Sequence, residues 1–282
     1  MKNILLPTDF SENSWNAIKY AIRFFENQNC NFYLLHIKSI NATDYNDAPL
    51  ILDRNDVDTL YLRPIKQDLQ TLLKRIKKLE SSKKSHHFYT IIENTYFTSG
   101  IRKTIDEKEI DFIVMGTKGA TGLSKIILGS NTADVVTKVK CNTLVIPEHA
   151  KFTEPSKIAF PTDFSLSHNL HVLKPIVKIL NRFKTSLHIL HINKSKTNIN
   201  TQQSQNKELL EEYFNQYHFS FHDLTNINVE DAIENFIENN AINMVCMVAK
   251  NLNYFQQILF HSKVENITYH TRIPFLVLHE KN

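Results

Sequence analysis

Short runs of apolar and β-branched residues alternate along this chain with longer segments whose apolar positions recur at helical spacing. The runs near residues 2–7, 31–37, 87–94, 111–116 and 143–147 read as strands; having little polar alternation, they suit a sheet covered on both faces. Helices are predicted over 12–27, 58–81, 98–108 and 130–140, with Ser11 placed to cap the first and Ser130 the last. Strand–helix alternation predicts the α/β class: a mostly parallel sheet with helices on both faces, since parallel neighbours need crossover connections. Ligands bind such sheets at the carboxyl ends of the strands, which here are residues 7–9, 37–39 and 115–122.

The pattern occurs twice. ILLPTDFS at 4–11 recurs as IAFPTDFS at 158–165, and FYLLHI ending at Ile37 answers LHILHI ending at Ile192. DFIVMGTK ending at Lys118 answers NMVCMVAK ending at Lys250, and CNTLVI at 141–146 answers IPFLVL at 273–278. Four matched segments in one order indicate a duplication. The offset is 154 or 155 for the first two matches and 132 for the last two. The second repeat is therefore about 23 residues shorter between its second and fourth strands, and the extra length of the first includes 39–58. Two domains are expected, 1–150 and 151–282, joined by a short polar junction at 148–156 that holds Pro155. Repeats on so short a tether are expected to pack about a pseudo-two-fold axis.

Composition narrows the class without changing this picture. A chain of 282 residues fits two domains, and 42% hydrophobic with 22% charged residues lies far from the disordered regime. The net charge of +4 is spread along the chain, and basic stretches such as 74–84 read as a solvated helix face, so no nucleic-acid partner is expected. The N-terminal apolar run is too short for a signal peptide and no segment reaches the length of a membrane span, so a soluble, cytoplasmic protein is expected. Cys30, Cys141 and Cys246 show no paired spacing and read as buried free thiols in a reducing compartment.

The chain has five glycines, and Gly116, Gly119, Gly122 and Gly129 fall within fourteen residues. Glycine is placed where φ must be positive or where another group approaches the backbone closely. Here a strand ends at Gly116, a loop follows, and Gly129 and Ser130 open a helix. Free amides at a helix start, backed by the helix dipole, make an anion site. A turn-rich loop with no ligand is the alternative from spacing alone.

The stretch Gly116-x-x-Gly119, nine residues, then Gly129-Ser130 resembles the G-x2-G-x9-G-[S/T] signature of ATP-binding universal stress proteins. ILLPTDFS and the LHI of the second strand resemble that family too, over all of the first repeat and more weakly over the second. The resemblance implies two tandem Rossmann-like three-layer sandwiches of the adenine nucleotide alpha hydrolase-like kind, each with a mostly parallel five-stranded sheet. It implies ATP, or ADP or AMP, in the first repeat, with Mg2+ as companion. Asp9 would share hydrogen bonds with the adenine or ribose end, beside Pro7 and Thr8, and the backbone of Ile37 would read the adenine edge. Met115 and Gly116 would line the ribose, with Thr117 next in the chain, and Gly119, Gly129, Ser130 and Asn131 would hold the phosphates. Many family members carry valine where this chain has Asn131. An aspartate after a first strand is otherwise simply a helix cap. The family's habit of pairing edge strands implies that 143–147 and 274–279 pair within the chain, with a homodimer of whole chains as a further expectation.

The second repeat serves as an internal control. At offset 132, Val248 stands for Gly116, Asn251 for Gly119, Tyr254 for Gly122 and His261 for Gly129, although Asp163 and Ser262 still match Asp9 and Ser130. If the glycines served only the fold, the second copy would need them, so the contrast favours a ligand in the first repeat. The second repeat is expected not to bind ATP in the family's mode, with Tyr254 and Phe255 filling its cleft.

Other constellations carry less. The aspartates of 39–58 lack the glycine and glutamate of a calcium loop. His36 and His191 occupy equivalent strand positions and read as packing, His168 and His171 as surface, and no metal site is expected beyond Mg2+ with the nucleotide. There is no Walker sequence, nucleophile elbow or SGG pyrophosphatase-type loop, and Lys118 and Lys125 supply charge but no positioned acceptor. The expected function is nucleotide binding in a stress-response or regulatory role, with no catalytic residue assigned. The alternatives are a slow ATPase or adenine-nucleotide hydrolase in the same cleft, and a scaffold that needs no ligand.

Overall fold

A computed structural model describes residues 1–38, 62–79, 86–117, 129–165, 170–193, 199–225, 229–249 and 273–280. The 39–58 segment, Lys118, Gly119, Gly122, Lys125, His168, and the second-repeat residues Asn251, Tyr254, Phe255, His261 and Ser262 lie outside the described residues. Contacts divide the chain into one unit that includes Met1 and Cys141 and another that begins its described part at Asn142.

The first unit runs β1 (Lys2–Pro7), α1 (Glu12–Phe24), β2 (Cys30–Lys38), α2 (Arg63–Lys77), β3 (His86–Asn94), α3 (Phe97–Lys108), β4 (Phe112–Gly116) and α4 (Ser130–Lys138). Its strands lie side by side in the order β3-β2-β1-β4, all parallel. Position in the sheet follows sequence: the unbroken apolar run FIVMG makes β4, buried along its whole length, whereas HHFYTIIEN makes the partly exposed β3 at the edge. The register places Leu5 opposite Ile113 and Pro7 opposite Leu35. The carboxyl ends of β1, β2 and β4 therefore share one edge. Leu5, Leu35, Ile101, Ile113, Met115, Val135 and Val139 form a core cluster between sheet and helices.

The second unit's described part runs β5 (Asn142–Ile146), β6 (Lys157–Pro161), a 3-10 turn at Leu170–Leu173, α5 (Lys174–Phe183), β7 (Ser186–Asn193), α6 (Thr201–Phe214), β8 (Phe219–Thr225), α7 (Val229–Asn240), β9 (Met244–Val248) and β10 (Phe275–Leu278). Its strand order is β5-β10-β9-β6-β7-β8. Only β5 and β10 run antiparallel, with Val145 opposite Phe275 and Thr143 opposite Val277. Each repeat thus contributes five strands in chain order, but β5 clusters with the second unit, where its backbone pairs with β10.

Strand boundaries fall within a residue or so of expectation; the helix expected over 58–81 is Arg63–Lys77, with Lys78 as its C-cap, and two further helix ends and one cap differ for local reasons. α1 stops at Phe24 because the chain turns there to bury Phe25, whose ring lies 5.7 Å from Phe112 and 6.5 Å from Phe32. α4 stops at Lys138 because Val139 is extended and enters the core. At the other end of α4 the cap is Gly129, and Ser130 is the first helical residue rather than the cap. Ser11 does cap α1, its hydroxyl accepting from the Ser14 amide at 3.2 Å.

The duplication is also written in backbone strain. Phe10 and Phe164 have φ of 64° and 58°, and Glu109 and Ala241 have φ of 48° and 52°. These left-handed residues are 154 and 132 positions apart, the same offsets as the matched segments, and none is glycine.

Candidate functional site

β1 ends in a tight turn whose polar groups are largely engaged with one another. The Thr8 amide donates to the Leu35 carbonyl at 2.8 Å, and the Thr8 hydroxyl accepts from the Phe10 amide at 3.1 Å and lies 3.1 Å from the Ser14 hydroxyl. Thr8 is buried, as is Pro7. Their part is to shape the turn. Asp9 is exposed, and its Oδ1 accepts from the Ser11 amide at 3.1 Å and the Ser11 hydroxyl at 2.6 Å. Asp9 is therefore not the helix cap; it orients the residue that is. In the second unit Asp163 Oδ1 accepts from the Ser165 amide at 2.9 Å.

At β2, the Ile37 side chain is turned towards α3, where a Cβ added to Gly100 would meet Ile37 Cδ1 at 2.9 Å. What it offers the edge is backbone. The Leu35 carbonyl faces β1, as its bond to Thr8 shows, and peptide groups in a parallel ladder alternate in direction. Those of Ile37, two residues on, face the space β1 leaves when it turns away at Thr8.

At β4, the Met115 side chain is buried in the core cluster, so only its main chain borders the edge. Gly116 has a packing reason of its own: a Cβ there would lie 2.8 Å from Cγ, Nδ2 and Oδ1 of Asn13. The loop ends are pinned together. The Gly129 amide donates to the Thr117 carbonyl at 2.5 Å, and the buried Thr132 hydroxyl donates to the Gly116 carbonyl at 2.7 Å. Among the described residues no side chain caps α4. Its first turn begins with Ser130 and Asn131, both exposed. An uncapped helix start with two exposed polar side chains has the donor chemistry of an anion site.

The structure thus brings Pro7, Thr8, Asp9, Ile37, Met115, Gly116, Thr117, Gly129, Ser130 and Asn131 to one edge of one unit. Exposed side-chain oxygen comes from Asp9, Ser130 and Asn131; Thr8, Met115 and Ile37 present structure or backbone. Sequence reasoning missed Asn13 and Thr132, which brace Gly116 from either side. One signal for Asn13 was available. In sequence, Ser167 stands 154 positions after Asn13 and is smaller, as Val248 is larger than Gly116; Ser167 itself lies outside the described residues.

The corresponding turn of the second unit is tied to a helix. Gln203 Nε2 donates to the Asp163 carbonyl at 2.9 Å, and Asn206 Nδ2 donates to the Phe164 carbonyl at 2.6 Å. Both residues lie on α6, whose start is locked by a reciprocal capping box between Asn200 and Gln203.

Among the described residues no helix is long and apolar enough to cross a membrane. The profile of the universal stress protein family matches residues 1–147. Universal stress protein MJ0531 of Methanocaldococcus jannaschii is 28% identical over 151 residues, covering 53% of this chain and 84% of that protein. Universal stress protein MJ0577 of the same organism is 27% identical over 156 residues, covering 51% and 94%. In fold, a universal stress protein from Archaeoglobus fulgidus superposes with a TM-score of 0.64 at 17% identity, covering 98% of this chain and 97% of that one. Protein PA1789 of Pseudomonas aeruginosa, described as functionally unknown, gives 0.60 at 16% identity, covering 99% and 92%. The family profile spans more than half of the sequence, and this chain belongs to the universal stress protein family.

Proposed function

We propose that the first unit binds ATP or a related adenine nucleotide along the carboxyl edge of its sheet, and that occupancy serves a regulatory role in a stress response. The observation that supports this most is the start of α4. The backbone is pinned by Thr117 and Gly129, the helix has no side-chain cap among the described residues, and Ser130 and Asn131 stand exposed beside its first amides. Roughly half a positive charge at such a helix end favours a phosphate. The Ile37 backbone would take the base, Asp9 the adenine or ribose end, and Met115, Gly116 and Thr117 would border the ribose. Gly129, Ser130 and Asn131, with Gly119 by resemblance to the family signature, would hold the phosphates and their Mg2+. On this reading the duplicated domains are 1–150 and 151–282, and the second does not bind in the same mode. There the turn's carbonyls are taken by Gln203 and Asn206, and Val248 replaces the glycine at the strand end. The buried free thiols of Cys30, Cys141 and Cys246 fit a cytoplasmic setting.

The test uses the full chain. Denatured protein is analysed for released nucleotide, and stripped protein is titrated calorimetrically with ATP, ADP and AMP, with and without Mg2+. Saturable binding weakened by Ser130→Ala is expected. No released nucleotide and no binding heat would overturn the proposal. Steady ADP release abolished by Gly129→Val would reassign the cleft to hydrolysis.

A further inference from the structure

Adjacent strands of the second unit carry the same short pattern: Ser186-Leu187-His188 in β7 and Ser220-Phe221-His222 in β8. The strands are parallel, with His188 opposite Ser220. Because strand side chains alternate, all four polar groups fall on one face. There His188 Nδ1 lies 3.2 Å from His222 Nε2. Ser220 Oγ lies 2.8 Å from His222 Nε2 and 3.3 Å from His188 Nδ1. Phe236 of α7 packs beside both imidazoles, at 4.6 Å from His222 and 5.9 Å from His188 between centroids. The four polar residues are half-buried, neither sealed in the core nor free in solvent.

Three donor atoms thus stand in a triangle with sides of 2.8 to 3.3 Å. Donors held about 2.0–2.1 Å from a metal in tetrahedral or octahedral geometry are themselves roughly 2.9–3.4 Å apart. The triangle therefore already has the dimensions of one face of a coordination shell. We propose that His188 Nδ1, His222 Nε2 and Ser220 Oγ form an open site for an imidazole-preferring divalent cation of the zinc, copper and nickel class, with water completing the shell.

The donor set decides the class. Imidazole suits these ions, whereas calcium and magnesium demand carboxylate or carbonyl oxygen that the triangle lacks. Among the described residues no three His, Cys, Asp or Glu side chains converge, so this is an open, exchangeable site rather than a closed structural one. Without metal, the two facing nitrogens lie within hydrogen-bond distance, the tautomers setting which donates. On binding, a proton on either facing nitrogen would pass to the other nitrogen of the same ring, so that each neutral imidazole presents a lone pair to the cation. For His188 the other nitrogen is Nε2, with Ser186 Oγ at 3.4 Å placed to accept its hydrogen bond and hold the ring. The Lys157 ammonium opposes a nearby cation, but its Nζ is bound to the Asn240 carbonyl at 3.0 Å. This site lies in the second unit and does not rest on the nucleotide reading.

With 13 histidines in the chain, binding alone would not locate the site. Chelator-stripped full-length protein is titrated with Co2+, read by visible absorption, and with Zn2+ against a chromophoric chelator. His188→Gln and His222→Gln should each weaken binding by about tenfold or more, and Ser220→Ala by less. His168→Gln and His171→Gln should leave it unchanged. Circular dichroism checks that each variant is folded. In the wild-type chain, ring-nitrogen magnetic resonance should show one nitrogen on each of two imidazoles shifting with Zn2+, an observation that needs no substitution. Unchanged affinity in both folded His variants, or Zn2+ shifts at other imidazoles only, would overturn the site.

Discussion

The imidazole of His36 lies nearly flat against the ring of Phe10, with centroids 4.7 Å apart and planes 21° from parallel. It braces a residue with φ of 64°, a left-handed conformation that costs an ordinary residue about 1–2 kcal/mol. His36 Nδ1 also lies 2.9 Å from the Thr8 carbonyl, so one side chain supports both ends of the turn. The second unit repeats the device: His191 stacks on Phe164 at 4.7 Å and 24°, with Nδ1 3.3 Å from the Thr162 carbonyl. These histidines are turn braces.

Truncating either brace should cost similar stability. His36→Ala and His191→Ala each lose a ring stack and a hydrogen bond, together about 1–3 kcal/mol. Denaturant unfolding measures it, with the affected unit followed by hydrogen exchange. Losses below about 0.5 kcal/mol in both variants would show that something else holds the left-handed phenylalanines.

Gly116 is bound to Asn13 by volume. Gly116→Val would drive a side chain into the Asn13 amide and should destabilise the fold by about 1–3 kcal/mol. Adding Asn13→Ser removes the amide that a side chain at 116 would meet, and should restore at least half of the loss. A double variant no more stable than Gly116→Val alone would sever the link.

That pair also qualifies what could be read from the sequence. Strands were legible because β4 and β9 are unbroken apolar runs buried along their whole length, and the duplication was legible because four matched segments recur in order. Loss of glycines in the second copy pointed to a ligand, yet for Gly116 the close approach of the Asn13 amide is a sufficient local cause. Left-handed Phe10, Glu109, Phe164 and Ala241 were illegible, since nothing in an ordinary side chain announces positive φ. His188 and His222 are 34 positions apart and meet only once the register of β7 and β8 is known.

Affinity and stability should separate at α4 but not at β1. Ser130 is exposed and no described side chain caps this helix, so under the proposed function Ser130→Ala should weaken nucleotide binding several-fold, about 0.5–1.5 kcal/mol, with little change in Tm. Asp9 holds the Ser11 cap, so Asp9→Ala should lower both affinity and Tm. Calorimetric titration and thermal melts of the same samples decide this. If Ser130→Ala lowers Tm as much as Asp9→Ala, its hydroxyl serves the fold instead.

Acid should weaken the second unit through its paired imidazoles. Burial, then the nearby His222 and Lys157, hold the His188 pKa below its ordinary value; burial does the same for His222, partly offset by the Asp223 carboxylate. Asp223 is itself 4.0 Å from Lys207 of α6, and Phe236 of α7 brings no charge. An unfolded chain protonates these rings near pH ~6.5, whereas the folded chain resists until the pH is lower. Between those values the unfolded state binds more protons, so this contribution is intact above pH ~6.5 and is lost as the pH falls through the folded values. In metal-free buffer, Tm should therefore drop from about pH 7 to about pH 5, and His188→Gln with His222→Gln should flatten that slope. A wild-type slope that survives both substitutions would place the acid sensitivity in other groups.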